Sequence, residues 1–195
     1  MSVVDWAAAD RSHAGHSLCG DRAIVAEFDG GALVALIDGL GHGPEANAAA
    51  TTAERVLAES PHEPIGELLL RCHEVLRRTR GAVMTMASFD ARRGTMTWLG
   101  IGNVEGWLVR ANATYDAVPS RGGTVGYQLP AVTPRTLPVQ VGDTLALASD
   151  GIKHGFREAV VSARAPREIA DNVLSYWAKG SDDACVVIAR YQGEA

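Results

Sequence analysis

The sequence predicts an α+β fold in which two mainly antiparallel β-sheets pack face to face and helices cover their outer faces. Three observations point there. Strand-like runs are separated by short turn signals and so pair as hairpins. Helical stripes are grouped, two in the first half and one near the end, and do not alternate with strands as a doubly wound parallel sheet requires. The 195 residues are 47% hydrophobic and 21% charged, with 21 scattered glycines, which suits one domain over 1–195 with a substantial core.

Taken in order, residues 23–28 and 32–37 are apolar runs joined by Asp29-Gly30-Gly31, a good hairpin turn. Ala46, Ala49, Ala50, Ala53, Val56 and Leu57 then recur at i, i+3, i+4, i+7, i+10 and i+11. That is one face of a helix, and the small alanines allow close packing on a sheet. Ile65, Leu68, Leu69, Cys72, Val75 and Leu76 repeat the spacing after Pro64, so a second amphipathic helix follows. A second hairpin is predicted over 82–90 and 95–101 around Ala91-Arg92-Arg93-Gly94, and 104–110 continues the strands. Residues 119–138 are rich in Gly and Pro and predict a surface loop, within which Arg121–Tyr127 is best placed to face a substrate. A strand at 143–149 follows, then a helix with Ile169, Ala170, Val173, Leu174 and Trp177 on one face, then a strand at 184–191.

Bulk properties exclude several classes of function. Net charge is −5, and no basic run exceeds Arg77-Arg78 or Arg92-Arg93, so nucleic acid is not an expected partner. The first residues lack the basic and apolar regions of a signal peptide, and no apolar segment is long enough to span a bilayer. Cys19, Cys72 and Cys185 are odd in number and widely spaced, which fits reduced thiols and a cytoplasmic location.

The chemistry is carried by acidic residues at strand ends. The runs Ala32–Gly39 and Thr144–Gly151 both end on Asp-Gly, at Asp38-Gly39 and Asp150-Gly151. A carboxylate at the end of a buried strand is costly without a cation or metal. Asp-Gly is also a hairpin turn signal, but neither is followed by a return strand: Leu40-Gly41-His42-Gly43 leads into a helical pattern, and Ile152-Lys153-His154 does not alternate. Cys19-Gly20-Asp21-Arg22 leads directly into the first strand of the first hairpin, and Asp182-Asp183 precede the last strand. Such carboxylates, gathered without cations, repel by about 4 kcal/mol for a pair at about 4 Å. Two hard divalent ions would offset that charge, and all-oxygen ligation favours Mg²⁺ or Mn²⁺ over zinc.

The set Gly20-Asp21, Ile37-Asp38-Gly39-Leu40-Gly41-His42-Gly43, Leu99-Gly100-Ile101-Gly102-Asn103, Ser149-Asp150-Gly151-Ile152 and Ser181-Asp182-Asp183-Ala184 resembles the metal-dependent type-2C protein phosphatases. It is most similar to the bacterial branch that includes SpoIIE, RsbU and RsbX. The motifs occur in family order over nearly the whole chain. The resemblance implies a four-layer α/β/β/α sandwich, in agreement with the element order. It also implies that Asp38 bridges two metal ions, Mn²⁺ or Mg²⁺, and that the Gly39 carbonyl ligates one of them. Asp150 and Asp182 would ligate on the other side of a bridging solvent, Asp21 would hold the second ion through water, and Gly20, Asn103 and Asp183 would support these ligands from behind. Two such ions acidify a shared water and neutralise phosphoryl oxygens, so hydrolysis needs no covalent enzyme intermediate.

The chain departs from the family pattern in two places. The phosphate-binding arginine expected a few residues before Asp21 is absent; His16 stands near there and Arg11 further back. Val104-Glu105-Gly106 replaces the segment whose aspartate supports a third metal in some relatives, so no third site is expected. His42 is a candidate general acid for the leaving oxygen, weighed against a glycine-loop residue that packs or caps. Cys72 with Arg78 matches the Cys-x5-Arg spacing of cysteine phosphatases, but it falls on an apolar helix face and reads as core. Gly39-x-Gly41-x-Gly43 lacks the third glycine spacing of a dinucleotide fingerprint.

No sensory or membrane segment precedes Asp21, and a free-standing catalytic domain is similar to the RsbX type. That similarity implies a phosphoserine/phosphothreonine phosphatase acting, as a monomer, on phosphorylated STAS-domain proteins of the stressosome and resetting a general stress response. The rivals are an RsbU- or SpoIIE-like phosphatase acting on an anti-sigma-factor antagonist, and a pseudophosphatase that binds phosphoproteins without hydrolysis. The full acidic set argues against the latter.

Overall fold

Residues 2–161 and 163–194 are described by a computed structural model of the chain. Ten strands form two five-stranded sheets. The first sheet contains β1 (Val4–Arg11), β6 (Glu105–Val109), β7 (Tyr115–Val118), β9 (Thr144–Ala148) and β10 (Ala184–Tyr191), in the order β1-β10-β9-β6-β7. The second contains β2 (Asp21–Phe28), β3 (Gly31–Gly39), β4 (Ala82–Asp90), β5 (Thr95–Ile101) and β8 (Arg135–Pro138), in the order β2-β3-β4-β5-β8. Every strand pair is antiparallel. Helices α1 (Pro44–Glu59) and α2 (Ile65–Leu76) cover the second sheet, and α3 (Pro166–Trp177) covers the first.

The layers follow from side-chain alternation. Along β3, Val34 and Leu36 point into the core between the sheets, whereas Leu33, Ala35 and Ile37 point under α1 and α2. Along β10, Cys185, Val187 and Ala189 face the inter-sheet core, and Val186 and Ile188 face α3. Both strands are buried on two faces, which is why they read as continuous apolar runs. The alanine stripe Ala46, Ala49, Ala50 and Ala53 is wholly buried and lets α1 lie close on β2 and β3. The result is the expected α/β/β/α sandwich.

Both predicted hairpins are present, and Gly30 (φ 73°) and Gly94 (φ 61°) supply the left-handed turn positions. Three strands lie where none was predicted. β1 is alanine-rich, and Trp6 on it is exposed, so its own pattern is weak; it is a strand because β10 pairs with it over eight residues, from Val4↔Tyr191 to Arg11↔Ala184. β7 buries only Val118, and β8 is a four-residue edge strand ending in a proline, inside the segment predicted as loop. Neither carries a readable alternation.

Leu36 sits fully buried between the sheets. Leu36→Ala is expected to cost about 3 kcal/mol through lost burial and the cavity left behind. A urea melt measures it; a change under about 1 kcal/mol, the range of a surface substitution, would mean that this layer collapses around the gap.

Candidate active site

The first half of the site is built by the β2–β3 hairpin, whose register sets Asp21 directly opposite Asp38. The Gly39 N–H donates to the Gly20 carbonyl at 3.1 Å, which holds the two strand ends together. Glycine is demanded at position 39 because a Cβ there would stand 2.1 Å from the Ala46 carbonyl oxygen in the first turns of α1. Beyond it, Gly41 (φ 88°) and Gly43 (φ 78°) turn the chain into that helix and carry His42 to the surface.

The other half comes from the facing sheet. β9 runs through buried Ser149 into Asp150, and Ser149 is fixed to β10: its N–H donates to the Cys185 carbonyl, and its Oγ accepts from the Cys185 N–H at 2.9 Å. A Cβ on Gly151 would lie 1.9 Å from the Asp183 carbonyl oxygen, so the Asp150-Gly151 turn rests on the Asp182-Asp183 turn. Asn103, in the β5–β6 connection, donates from Nδ2 to Asp150 Oδ2 at 2.8 Å. The Lys179 ammonium donates to the Asp150 carbonyl.

Asp183 joins the halves. Its Oδ1 accepts from the His13 N–H at 2.6 Å, and its Oδ2 accepts from the Gly20 N–H at 2.8 Å. This buried carboxylate thus spends both oxygens on backbone donors. Asp182 is exposed, with one oxygen accepting from the Asp183 N–H at 2.9 Å.

Electrostatics separates these groups from ordinary buried acids. Asp143 is also buried, but it is paired with Arg110 at 2.9 Å and accepts from the Ala111 and Gln140 N–H groups. Asp21 is buried with Oδ2 lacking any hydrogen-bond partner. Burial, and after it the nearby charges of Asp183, Asp150 and Asp182, push its carboxyl up to about 7 against the pull of the Ser149 hydroxyl. The Asp38 carboxyl is pushed up to about 9, by burial first and then by Asp21, Asp150, Asp182 and Asp183. Asp21 and Asp38 feel these charges because the fold gathers the acidic strand ends. Among the described residues, no Lys, Arg or His forms an ion pair with any of the five.

An orphaned buried oxygen, crowded carboxylates and an all-oxygen donor set fit a hard divalent cation. Among the described residues, no three His, Cys, Asp or Glu side chains close around one point by themselves. Unscreened mutual repulsion acts to hold such carboxylates apart.

Of the other predicted candidates, His42 is exposed and in contact with two further imidazoles, those of His13 and His16. Sequence reasoning noted His16 only in passing and passed over His13, although the His13-x-x-His16 spacing was visible. Cys72 is wholly buried on α2, and burial pushes its thiol up to about 12, which leaves no nucleophilic thiolate. The 121–127 loop is tied down at Val125, which bridges Ala82, and Tyr127 projects into solvent.

The sequence profile described as Stage II sporulation protein E (SpoIIE) matches residues 29–192. The phosphoserine phosphatase RsbX of Bacillus subtilis (strain 168) is 22% identical over 178 residues, which span 90% of this chain and 89% of that protein. A solved structure from work on the bacterial stressosome, described as a modular system adapted to control secondary messenger signalling, superposes with a TM-score of 0.90 at 27% identity, covering 97% of this chain and 100% of the other. A crystal structure of RsbX in complex with magnesium shares the fold, with a TM-score of 0.87 at 19% identity over 97% of this chain and 96% of that one.

Proposed function

The chain belongs to the SpoIIE family, and from that premise we propose that it is a Mn²⁺- or Mg²⁺-dependent phosphoserine/phosphothreonine protein phosphatase, a single catalytic domain acting on phosphorylated STAS-domain proteins of a stressosome. The observation that carries this reading is the cross-strand pair Asp21–Asp38, which shares its electrostatic surroundings with Asp150, Asp182 and Asp183 and has no protein cation among the described residues. The relationship to RsbX and the likeness to a stressosome structure support the choice of substrate.

In this reading Asp38 and the Gly39 carbonyl would hold metal from one sheet, Asp150 and Asp182 would hold it from the other, and Asp21 would assist through water. Divalent cations bound there supply positive charge against phosphoryl oxygens and lower the pKa of water. The chain's own part is placement. Asn103 orients the Asp150 carboxylate, and Asp183 clamps Gly20 and His13 so that the two sheets present their carboxylates in a fixed relation.

The test is release of phosphate from a phosphorylated STAS-domain protein, with a phosphorylated single-domain anti-sigma-factor antagonist as competitor. Chelation is expected to abolish turnover and Mn²⁺ to restore it, with the STAS substrate preferred. Cys72→Ser, at a packed helix position, is expected to retain turnover. Activity that survives chelation, or disappears in a folded Cys72→Ser protein, would remove the metal-dependent reading. Docking of a folded substrate further predicts that the same phosphosite in a short peptide is cleaved with kcat/KM lower by about 100-fold or more, because contacts that position the phosphate are lost.

A further inference from the structure

Residues 12–20 cross from β1 in one sheet to β2 in the other, and they carry His13 and His16 past the edge of the acidic site. His42 reaches the same place from the glycine loop behind Asp38-Gly39. The three imidazoles form a cluster, with ring centroids 5.5 Å apart for His13 and His16, 5.4 Å for His13 and His42, and 4.6 Å for His16 and His42. His13 Nδ1 is buried without a hydrogen-bond partner. A buried ring nitrogen left unmatched carries a desolvation cost, which rotation of the ring toward an anion at the surface of the cluster would relieve.

The cluster abuts a second unmatched group. Helix α1 starts at Gly43 with no side chain capping its N-terminus, and Pro44 contributes no N–H. A Cβ on Gly43 would stand 3.0 Å from His16 Nδ1, so the imidazole lies against the helix start. The nearby Arg80 guanidinium is engaged by Glu45 in the first turn of that helix. Ring N–H groups and an open helix start are donors to an anion, in either protonation state of the rings. The carboxylates alongside cannot attract a phosphate monoester, which is itself a dianion. His13 is tied to them directly, its N–H donating to Asp183.

We propose that His13, His16 and His42, with the first turn of α1, form the pocket that receives the phosphate group of the phosphoprotein substrate, taking the place of the arginine that this chain lacks. The proposal rests on the phosphatase reading for its substrate, but the pocket itself is an anion site and can be tested without turnover. The rings donate to phosphoryl oxygens that the acidic groups do not touch, so they orient the ester and release inorganic phosphate after cleavage.

The experiment is an NMR titration of the imidazole C–H signals of the Mg²⁺-loaded protein with inorganic phosphate at constant pH, set beside phosphate inhibition of hydrolysis. The signals of the three rings are expected to move together along one binding curve, whose midpoint equals the inhibition constant. His13→Gln and His16→Gln are each expected to weaken phosphate by about tenfold, as for loss of a hydrogen bond to a charged group, and to raise KM more than they lower kcat. Rings that stay silent while phosphate inhibits overturn the pocket and leave the phosphatase reading standing. Rings that titrate in a protein that hydrolyses no phosphoprotein leave the pocket standing and remove the phosphatase reading.

Discussion

Asp38→Asn is expected to lower metal-dependent phosphate release by about 10³-fold or more and, in the same protein, to raise the stability of the metal-free fold. The two effects have one origin. The Asp38 carboxyl is held up to about 9 by burial and by four neighbouring acids, against an ordinary value of 3.8. Between those limits the unfolded chain gives up its proton while the folded chain keeps it. Stability is therefore complete below about pH 4, falls as pH rises, and is lost through this group by about pH 9. Asp21 adds the same trend up to about pH 7. Denaturant melts in chelator at pH 5 and pH 8 measure it. Wild type should be less stable at pH 8, and the Asn variant should show a shallower slope and a gain there, because it is spared the cost of holding a proton that the unfolded chain gives up. Mg²⁺ or Mn²⁺ should restore wild type at pH 8 and leave the variant nearly unmoved. A variant with no gain in chelator would mean that the carboxylates do not crowd one another, and the metal-centre reading would go with them.

Gly151→Ala is the second large effect, and it acts through space. The added methyl would sit 1.9 Å from the Asp183 carbonyl oxygen, 2.8 Å from its carbon and 3.0 Å from Ala184 Cα, all backbone that cannot rotate away. The turn that carries Asp150 must then lift off the turn that carries Asp182 and Asp183. Overpacking of this kind costs about 3 kcal/mol, and displacing reacting groups by about 1 Å costs about 100-fold in rate. A thermal melt and a phosphate-release assay read the two losses. Unchanged activity in Gly151→Ala would show that the separation of Asp150 from Asp182 does not matter to the chemistry.

The strands and helices with strong side-chain periodicity were legible in the sequence. β4 and β5 begin and end at the predicted residues because Asp90 and Gly94 bracket a turn that local chemistry specifies. β1, β7 and β8 were not legible, since an alanine-rich or edge strand owes its conformation to a partner elsewhere in the chain. Asp38 and Asp150 stood out because Asp-Gly at the end of an apolar run is costly without a reason, and Asp21, Asp182 and Asp183 because they stand at strand boundaries. The cluster of His13, His16 and His42 was not, because residues from two connecting segments meet only after the sheets have packed. The use of both Asp183 oxygens as a clamp between sheets likewise depends on a backbone path that no local pattern encodes.

The pairing of β1 with β10 has a consequence for synthesis on the ribosome. Val4 is made long before its strand partner, Tyr191. Until β10 is made, β1 has no neighbour, β9 lacks one of its two, and the inner face of the second sheet misses the cover that Cys185, Val187 and Ala189 supply. Contacts so distant in sequence form slowly and leave apolar surface and strand edges exposed in the meantime. The hairpins of the second sheet can form early, but Asp182 and Asp183 arrive with the final strand. A nascent chain therefore cannot assemble its acidic centre ahead of the fold, and a pause in translation before Asp182 leaves a fragment that is open to aggregation and lacks part of that centre.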